Sequence, residues 1–227
     1  MGLNNYMLWR EVAYFKDNDG EDIIVFVGNY SDFTQDDAIF LSEDEKIMSQ
    51  EFSSVSARNR YIAGKAFLRR ALGFMFNKGP FQGAVLKDEY GKPYIVDFDQ
   101  NINFNVSHTG NVIVIAFSKN KPLGIDIELK NRSIHQHLVG YIFTDEEAEE
   151  ILSKADWPEY FLRAWTRKEA VLKCIGCGFA CDAKEIKVPL SDEKLLAYKN
   201  SLNVNIFQSW HLFTIDFLPN IIGVIAI

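Results

Sequence analysis

Apolar residues recur along this chain at two different spacings. Short runs dominated by Val, Ile and Phe occupy residues 22–28 (DIIVFVG), 102–106, 111–117 and 123–128, with Gly, Asn or Pro at the turns between them. They read as strands. Helical spacing governs two longer stretches. Residues 56–72 predict a long helix closed by Gly73, and residues 161–173 predict another, apolar at Phe161, Leu162, Trp165, Val171 and Leu172, with Gly176 just past its end. Two helix starts carry a capping pattern, Ser42-Glu-Asp-Glu45 and Phe143-Thr144-Asp-Glu-Glu147. Gly79-Pro80 and Gly91-Lys92-Pro93 mark turns.

These elements echo one another. The capping pattern after Ile39-Phe40 returns after Ile142-Phe143, the stretch ending in Gly73 resembles the one ending in Gly176, and the apolar strand opening at Asn111 resembles the one opening at Asn220. The pattern predicts an α+β fold formed by tandem duplication: two similar α+β halves, residues 1–118 and 119–227, related by a pseudo-twofold axis with a cleft between them.

Composition narrows the picture. A chain of 227 residues that is 48% hydrophobic can bury a substantial core as one domain or two small ones. A net charge of −7 argues against a general nucleic-acid partner, although Arg58, Arg60, Lys65, Arg69 and Arg70 gather where an anion could be met. No apolar run reaches membrane-spanning length, and Arg10, Glu11, Lys16, Asp17 and Asp19 interrupt the region an export signal would need, so the expectation is a cytoplasmic protein with no membrane partner. Cys174, Cys177 and Cys181 form C-x2-C-x3-C, but no fourth ligand shows matching spacing, which favours ordinary buried or reduced thiols.

Three places carry candidate chemistry. Asp126 and Glu128 are two apart in an apolar strand, so both carboxylates leave the same face. They form either the outline of a cation site or the wet face of an edge strand. Glu169 and Lys173 stand one turn apart on the second helix, as a surface ion pair worth about 0.3–0.5 kcal/mol or as a third acid beside a phosphate-binding cation. Ser107 and His108 are strand neighbours that point to opposite faces, so they cannot act together as nucleophile and base.

Taken in order, FNVSHTG (104–110), GIDIE (124–128) and WTRKEAVLK (165–173) resemble the three signature motifs of the Sfp-type 4′-phosphopantetheinyl transferases. Arg60 in NRYIAGKAFLRR and the Tyr90-Gly91-Lys92-Pro93 turn extend the resemblance over both halves. The resemblance implies a pseudo-dimer that holds coenzyme A in its cleft and moves the 4′-phosphopantetheine group to a serine of an apo acyl or peptidyl carrier protein, releasing adenosine 3′,5′-bisphosphate. It assigns Asp126, Glu128 and Glu169 to Mg²⁺, with Glu169 as the alternative base for the serine proton. Lys173 and His108 meet the phosphates; Arg60, Lys92 and Ser107 hold the nucleotide end. Lys168 is placed on the other side of its helix, Trp165 in packing, and the assembly is expected to be a monomer.

Departures from the family pattern are small: Thr109 and Thr166 stand where serine or cysteine is common, and both keep a hydroxyl. Two rival classes remain open. A Mg²⁺-dependent kinase would share the acids, but Gly64-Lys65 has Asn59 where a P-loop needs Gly and Ala66 where it needs Ser or Thr. A non-catalytic coenzyme A or carrier binder would be expected to lack one of the three acids, and all are present.

Overall fold

The computed structural model describes residues 10–96, 102–191, 196–200 and 207–227. Its first half is built on a four-stranded antiparallel sheet in the order β1-β2-β6-β5. The strands are β1 (Glu11–Lys16), β2 (Asp22–Asn29), β5 (Ile102–Thr109) and β6 (Val112–Lys119), and a small hairpin of β3 (Val85–Lys87) and β4 (Pro93–Ile95) stands apart. Alternation sorts the residues of β2 and β6 into two cores. Phe26, Ile113, Ile115 and Phe117 pack under the long helix α2 (Val55–Met75), while Ile23, Val25, Val27, Val114 and Ala116 face the other way.

That second face meets the second half. Its five-stranded sheet has the order β7-β11-β10-β9-β8, with β7 (Gly124–Leu129), β8 (Ile186–Lys187), β9 (Leu196–Asn200), β10 (Phe207–Ile215) and β11 (Ile221–Ala226). Ile125 and Ile127 of β7 join Ile215, Ile221 and Ile225 in the core shared with the first sheet. On the opposite side, Ala170, Val171 and Cys174 of α5 (Trp157–Ile175) pack with Val224 and Ala226 of β11. The result is helix, sheet, sheet, helix. No helix among the described residues is long and apolar enough to cross a membrane.

The two halves repeat their order of pairing: β2-β6-β5 in the first, β7-β11-β10 in the second. Each also opens a short helix, α1 (Glu43–Gln50) and α4 (Asp145–Leu152), with a complete capping box. The capping glutamate of each is then tied to a cation on the next long helix, Glu45 to Arg69 at 2.7 Å and Glu147 to Lys168 at 2.9 Å. The remaining helix, α3 (His137–Ile142), precedes α4.

Two expectations need correction. Gly73 does not close α2, which runs on to Met75; it is glycine because a Cβ there would stand 2.3 Å from the carbonyl oxygen of Gly79, where the following loop folds back. Arg60 apart, the cation cluster is also not an anion-facing patch. Arg69 is buried against Glu45 and the carbonyls of Phe81 and Gly83, Arg70 against Asp37, Lys65 reaches Glu45, and Arg58 reaches the Phe52 carbonyl. Helical periodicity spreads consecutive cations round the axis, so most meet the protein's own acids.

One glycine fixes the spacing that the site depends on. A Cβ on Gly124 would lie 2.0 Å from the Ala170 carbonyl oxygen, so β7 and α5 touch backbone to backbone there. Gly124→Ala must therefore push the helix off the strand, an overpacking cost of about 1–3 kcal/mol. The expected outcome in a denaturant titration is a lower midpoint with an unchanged slope; a midpoint equal to wild type would show that α5 moves away freely.

Candidate active site

The two sheets meet along β5 and β7 through side chains rather than through a backbone ladder. β7 pairs with β11 on one edge only, and on its other edge three amide hydrogens need acceptors. Residues 105, 107 and 109 of β5 share one face and supply them. Ile125 N donates to Asn105 Oδ1 at 3.0 Å, Ile127 N to Ser107 Oγ at 3.2 Å, and Leu129 N to Thr109 Oγ1 at 3.3 Å.

Two of the same side chains also hold the acids. Ser107 Oγ donates to Asp126 Oδ1 at 2.9 Å and Thr109 Oγ1 to Glu128 Oε2 at 3.3 Å. Strand alternation sends Asp126 and Glu128 to one face, as their spacing predicts, but that face is not wet. It lies under α5, leaving Asp126 6% and Glu128 9% exposed.

From α5, Lys173 Nζ donates to Asp126 Oδ1 at 2.6 Å and reaches Ser107 Oγ at 3.3 Å. Arg132, four residues beyond Glu128, pairs with Glu128 Oε1. Glu169, one turn before Lys173, completes the acidic group. Burial raises its carboxyl above the usual range, and the charges on Asp126 and Glu128 add to the rise against the pull of Lys173. Glu128 is raised too, by burial first, with Arg132 opposing. Asp126 thus acts on both Glu128 and Glu169.

In this conformation Asp126 and Glu128 are closed by protein cations, and among the described residues no three His, Cys, Asp or Glu groups stand together as a ready-made metal cage. The donor set nonetheless fits a hard divalent ion. Asp126 Oδ2 is buried without a hydrogen-bond partner, an acceptor left open at the centre of the acidic group, and carboxylate oxygens are the ligands Mg²⁺ takes.

A cleft of about 440 Å³ opens beside this group. Glu169, Lys173 and Trp165 of α5 form one wall, Asn105 and Val106 of β5 another, and Tyr90 to Pro93 of the β3–β4 turn a third. Both halves therefore contribute, and a space of this size suits a small organic ligand. Trp165 packs half-buried as expected and lines the cleft as well.

The remaining candidates fall in different places. His108 is exposed on the face of β5 opposite Ser107, edge-on to the Tyr30 ring. Arg60 lies over that same ring and donates to the Gly110 carbonyl and Asn111 Oδ1. Lys92 Nζ turns inward, donating to the carbonyls of Leu123, Lys173 and Cys174, where it caps the end of α5. Its ammonium is less basic than usual because of burial. Lys168 is fully buried, held by Glu147 and the carbonyls of Ala183 and Ile186, a structural role its sequence position does not announce.

The cysteines correct another expectation. Cys177 and Cys181 form a disulfide, and only Cys174 is a free thiol, buried and pushed up to about 11 by desolvation. The bridged loop touches the cleft wall: a Cβ on Gly176 would meet Lys92, and one on Gly178 the Tyr90 carbonyl oxygen at 3.3 Å. Sequence spacing suggested no such bridge, because a 177–181 pairing requires the chain to leave the helix at Gly176 and turn at once.

Burying Glu169 among other acids costs stability with a definite sign. Its folded-state pKa is above the unfolded value of about 4.3, so the native state binds the extra proton and stability falls as pH rises through the interval above that value. Glu169→Gln removes the penalty. The variant should melt a few degrees higher near neutral pH, at about 2–4 °C for each 1 kcal/mol relieved, and lose this advantage below about pH 4. Scanning calorimetry across pH tests it; a variant no more stable than wild type at neutral pH would show that the carboxylate is not strained.

With this geometry in place, comparison with known proteins is specific. The 4′-phosphopantetheinyl transferase superfamily matches residues 122–217, and the N-terminal domain of 4′-phosphopantetheinyl transferases matches residues 30–120. The chain is similar to the 4′-phosphopantetheinyl transferase HetI of Nostoc sp., with 34% identity over 162 residues, covering 69% of this chain and 68% of HetI. It is 27% identical over 156 residues to the 4′-phosphopantetheinyl transferase Sfp of Bacillus subtilis, covering 68% of each. Over 164 residues it is 27% identical to the human L-aminoadipate-semialdehyde dehydrogenase-phosphopantetheinyl transferase, covering 66% of this chain and 53% of that one. The motifs that build the β5–β7–α5 site lie within these matched spans, and the chain belongs to the 4′-phosphopantetheinyl transferase family.

Proposed function

We propose that this protein converts apo carrier proteins to their holo form, moving 4′-phosphopantetheine from coenzyme A to a serine hydroxyl of an acyl or peptidyl carrier, with Mg²⁺, and releasing adenosine 3′,5′-bisphosphate. The observation that carries the reading is the reach of Lys173, which with Glu169 lines the cleft, onto the buried Asp126, whose second oxygen has no partner. Attack on a phosphorus of the donor's diphosphate is opposed by the charge already there, so the site must neutralise charge and fix geometry.

The roles follow from placement. Asp126, Glu128 and Glu169 would hold the Mg²⁺, which when bound neutralises diphosphate oxygens and the charge that grows on the leaving group. Lys173, now on Asp126, is within the same cleft and would turn its ammonium to the diphosphate. Glu169 is the half-buried acid whose raised pKa suits it to take the serine proton if it is not wholly committed to the cation, and the two roles compete. His108 and Arg60, side by side about the Tyr30 ring, are donors for phosphate oxygens at the far end of the donor. Lys92 and Ser107 would serve the donor from beneath the acids: Lys92 fixes the end of α5 next to the turn that lines the cleft, and Ser107 fixes Asp126.

On this reading residues 1–118 bind the nucleotide end and residues 119–227 hold the metal and meet the carrier, with the halves related by a pseudo-twofold axis. The protein works as a cytoplasmic monomer. The repeated strand order supports the division.

The test is carrier mass. With Mg²⁺, coenzyme A and a panel of apo acyl and peptidyl carriers, at least one carrier gains the mass of a single phosphopantetheine, and chelation of the metal stops the gain. Unchanged masses across the panel, with ATP consumed instead, would favour a kinase. Asp126→Ala should lower transfer by a factor of 10² or more, as loss of a group that acts on transition-state charge does, while circular dichroism and melting stay cooperative. Retained transfer would remove Asp126 from the metal site.

A further inference from the structure

Arg132 has no place in the motifs, yet it sits on one of the three acids. β7 ends at Leu129, Arg132 N closes a turn onto the Leu129 carbonyl at 3.1 Å, and Lys130 N bonds the Asn220 carbonyl at 2.9 Å. This turn brings the guanidinium back over the strand it has just left, onto Glu128 Oε1. The two oxygens of Glu128 are thus divided: Thr109, a buried strand hydroxyl, holds Oε2, and a cation from solvent holds Oε1.

Asp126 shows a related division. Ser107 and Lys173 share Oδ1, and Oδ2 is left open. In both cases a buried β5 hydroxyl holds the carboxylate and a long cation neutralises it. The cations are the more exposed partners, Arg132 at 51% against 12% for Glu128 and Lys173 at 28% against 8% for Asp126. An exposed cation regains water when it leaves, so parting is cheap as long as an arriving cation takes over the charge of the buried acid. The acids cannot move, being held from below.

We propose that Arg132 is an internal counter-cation that occupies Glu128 until a divalent ion takes the carboxylate, as Lys173 does on Asp126. This rests on the metal-site reading above and adds a positioning residue to it. Three acids against two protein cations leave the group one charge negative. A divalent ion arriving alone must displace Arg132 and Lys173 and leave them without partners. Arriving with the donor's diphosphate, it releases both cations to new anionic oxygens. Metal and diphosphate therefore favour each other's binding, and the coupling is reciprocal.

The experiment is a Mn²⁺ titration followed by electron paramagnetic resonance, on full-length protein, with and without coenzyme A. Asp126→Ala protein supplies the background. Arg132→Gln keeps much of the side-chain shape and removes the charge, and its site is half in solvent, so the fold should be retained. Without coenzyme A the variant should bind Mn²⁺ up to about fivefold more tightly than wild type, the factor that corresponds to an exposed pair. The enhancement of Mn²⁺ binding by coenzyme A should shrink by the same factor, and Arg132→Lys should behave as wild type. A merely structural arginine would not tighten metal binding when removed.

Equal or weaker Mn²⁺ binding by Arg132→Gln, in a protein whose wild type binds the ion, overturns the proposal and leaves the metal site standing. Wild-type protein that binds no Mn²⁺ above the background, even with coenzyme A, overturns the metal-site reading and this inference with it.

Discussion

Three side chains on β5 take the place of a neighbouring strand. Asn105, Ser107 and Thr109 accept the amide hydrogens of Ile125, Ile127 and Leu129, so the free edge of β7 is satisfied without a backbone ladder. A ladder would bring the strands to about 4.8 Å and merge the two sheets into one. Side chains of this length keep the strands farther apart, and they bring hydroxyl groups into the seam. Those hydroxyls are what hold Asp126 and Glu128. The joint between the halves and the floor of the site are therefore one structure, and neither can be altered without the other.

The arrangement carries charge into the interior. Asp126 and Glu128 are almost wholly buried, and Glu169 is half-buried. Acids so placed are tolerable only if they are hydrogen-bonded and paired. The β5 hydroxyls provide the first condition and Lys173 and Arg132 the second. The close approach of α5 at Gly124 keeps Lys173 within reach of Asp126 and Glu169 beside them. Burial raises the carboxyls of Glu128 and Glu169 all the same, against the pull of Arg132 and Lys173.

How much of this could be read from the sequence depended on the range of the interaction. Strand alternation put Asp126 and Glu128 on one face, the capping patterns gave the starts of α1 and α4, and Gly176 gave the end of α5, where φ is +80°. All three are set within a few residues. The partners of Ser107 and Lys92 were not legible, because each meets groups supplied by the other half: Ser107 the amide of Ile127, Lys92 the carbonyls of Lys173 and Cys174. The cations of α2 misled for the same reason. Their number suggested an anion site, but Glu45 and Asp37 fold back onto Arg69 and Arg70 and take the charge. Arg132 gives no signal in the sequence because a turn, not a periodicity, returns it to Glu128. Motif order pointed to the family, which the matched spans of both halves bear out, without saying how the motif residues touch.

The matching strand order of the two halves explains where such a site can arise. In the first half the helix-facing side of β2 carries Ile24 and Phe26, packed under α2 with the fully buried Ala66 and Phe67. In the second half the matching side of β7 carries Asp126 and Glu128, and α5 turns Glu169 and Lys173 toward them. The opposite face is apolar in both, Ile23, Val25 and Val27 against Ile125 and Ile127, since that face forms the shared core. One side of the strand thus cannot change without splitting the halves, whereas the other needs only something to fill it. Apolar side chains fill it in the first half. In the second, acids can stand there because β5, contributed by the first half, lies alongside with hydroxyls to hold them. A single half has no such neighbour, so Asp126 and Glu128 are held only where the two halves meet.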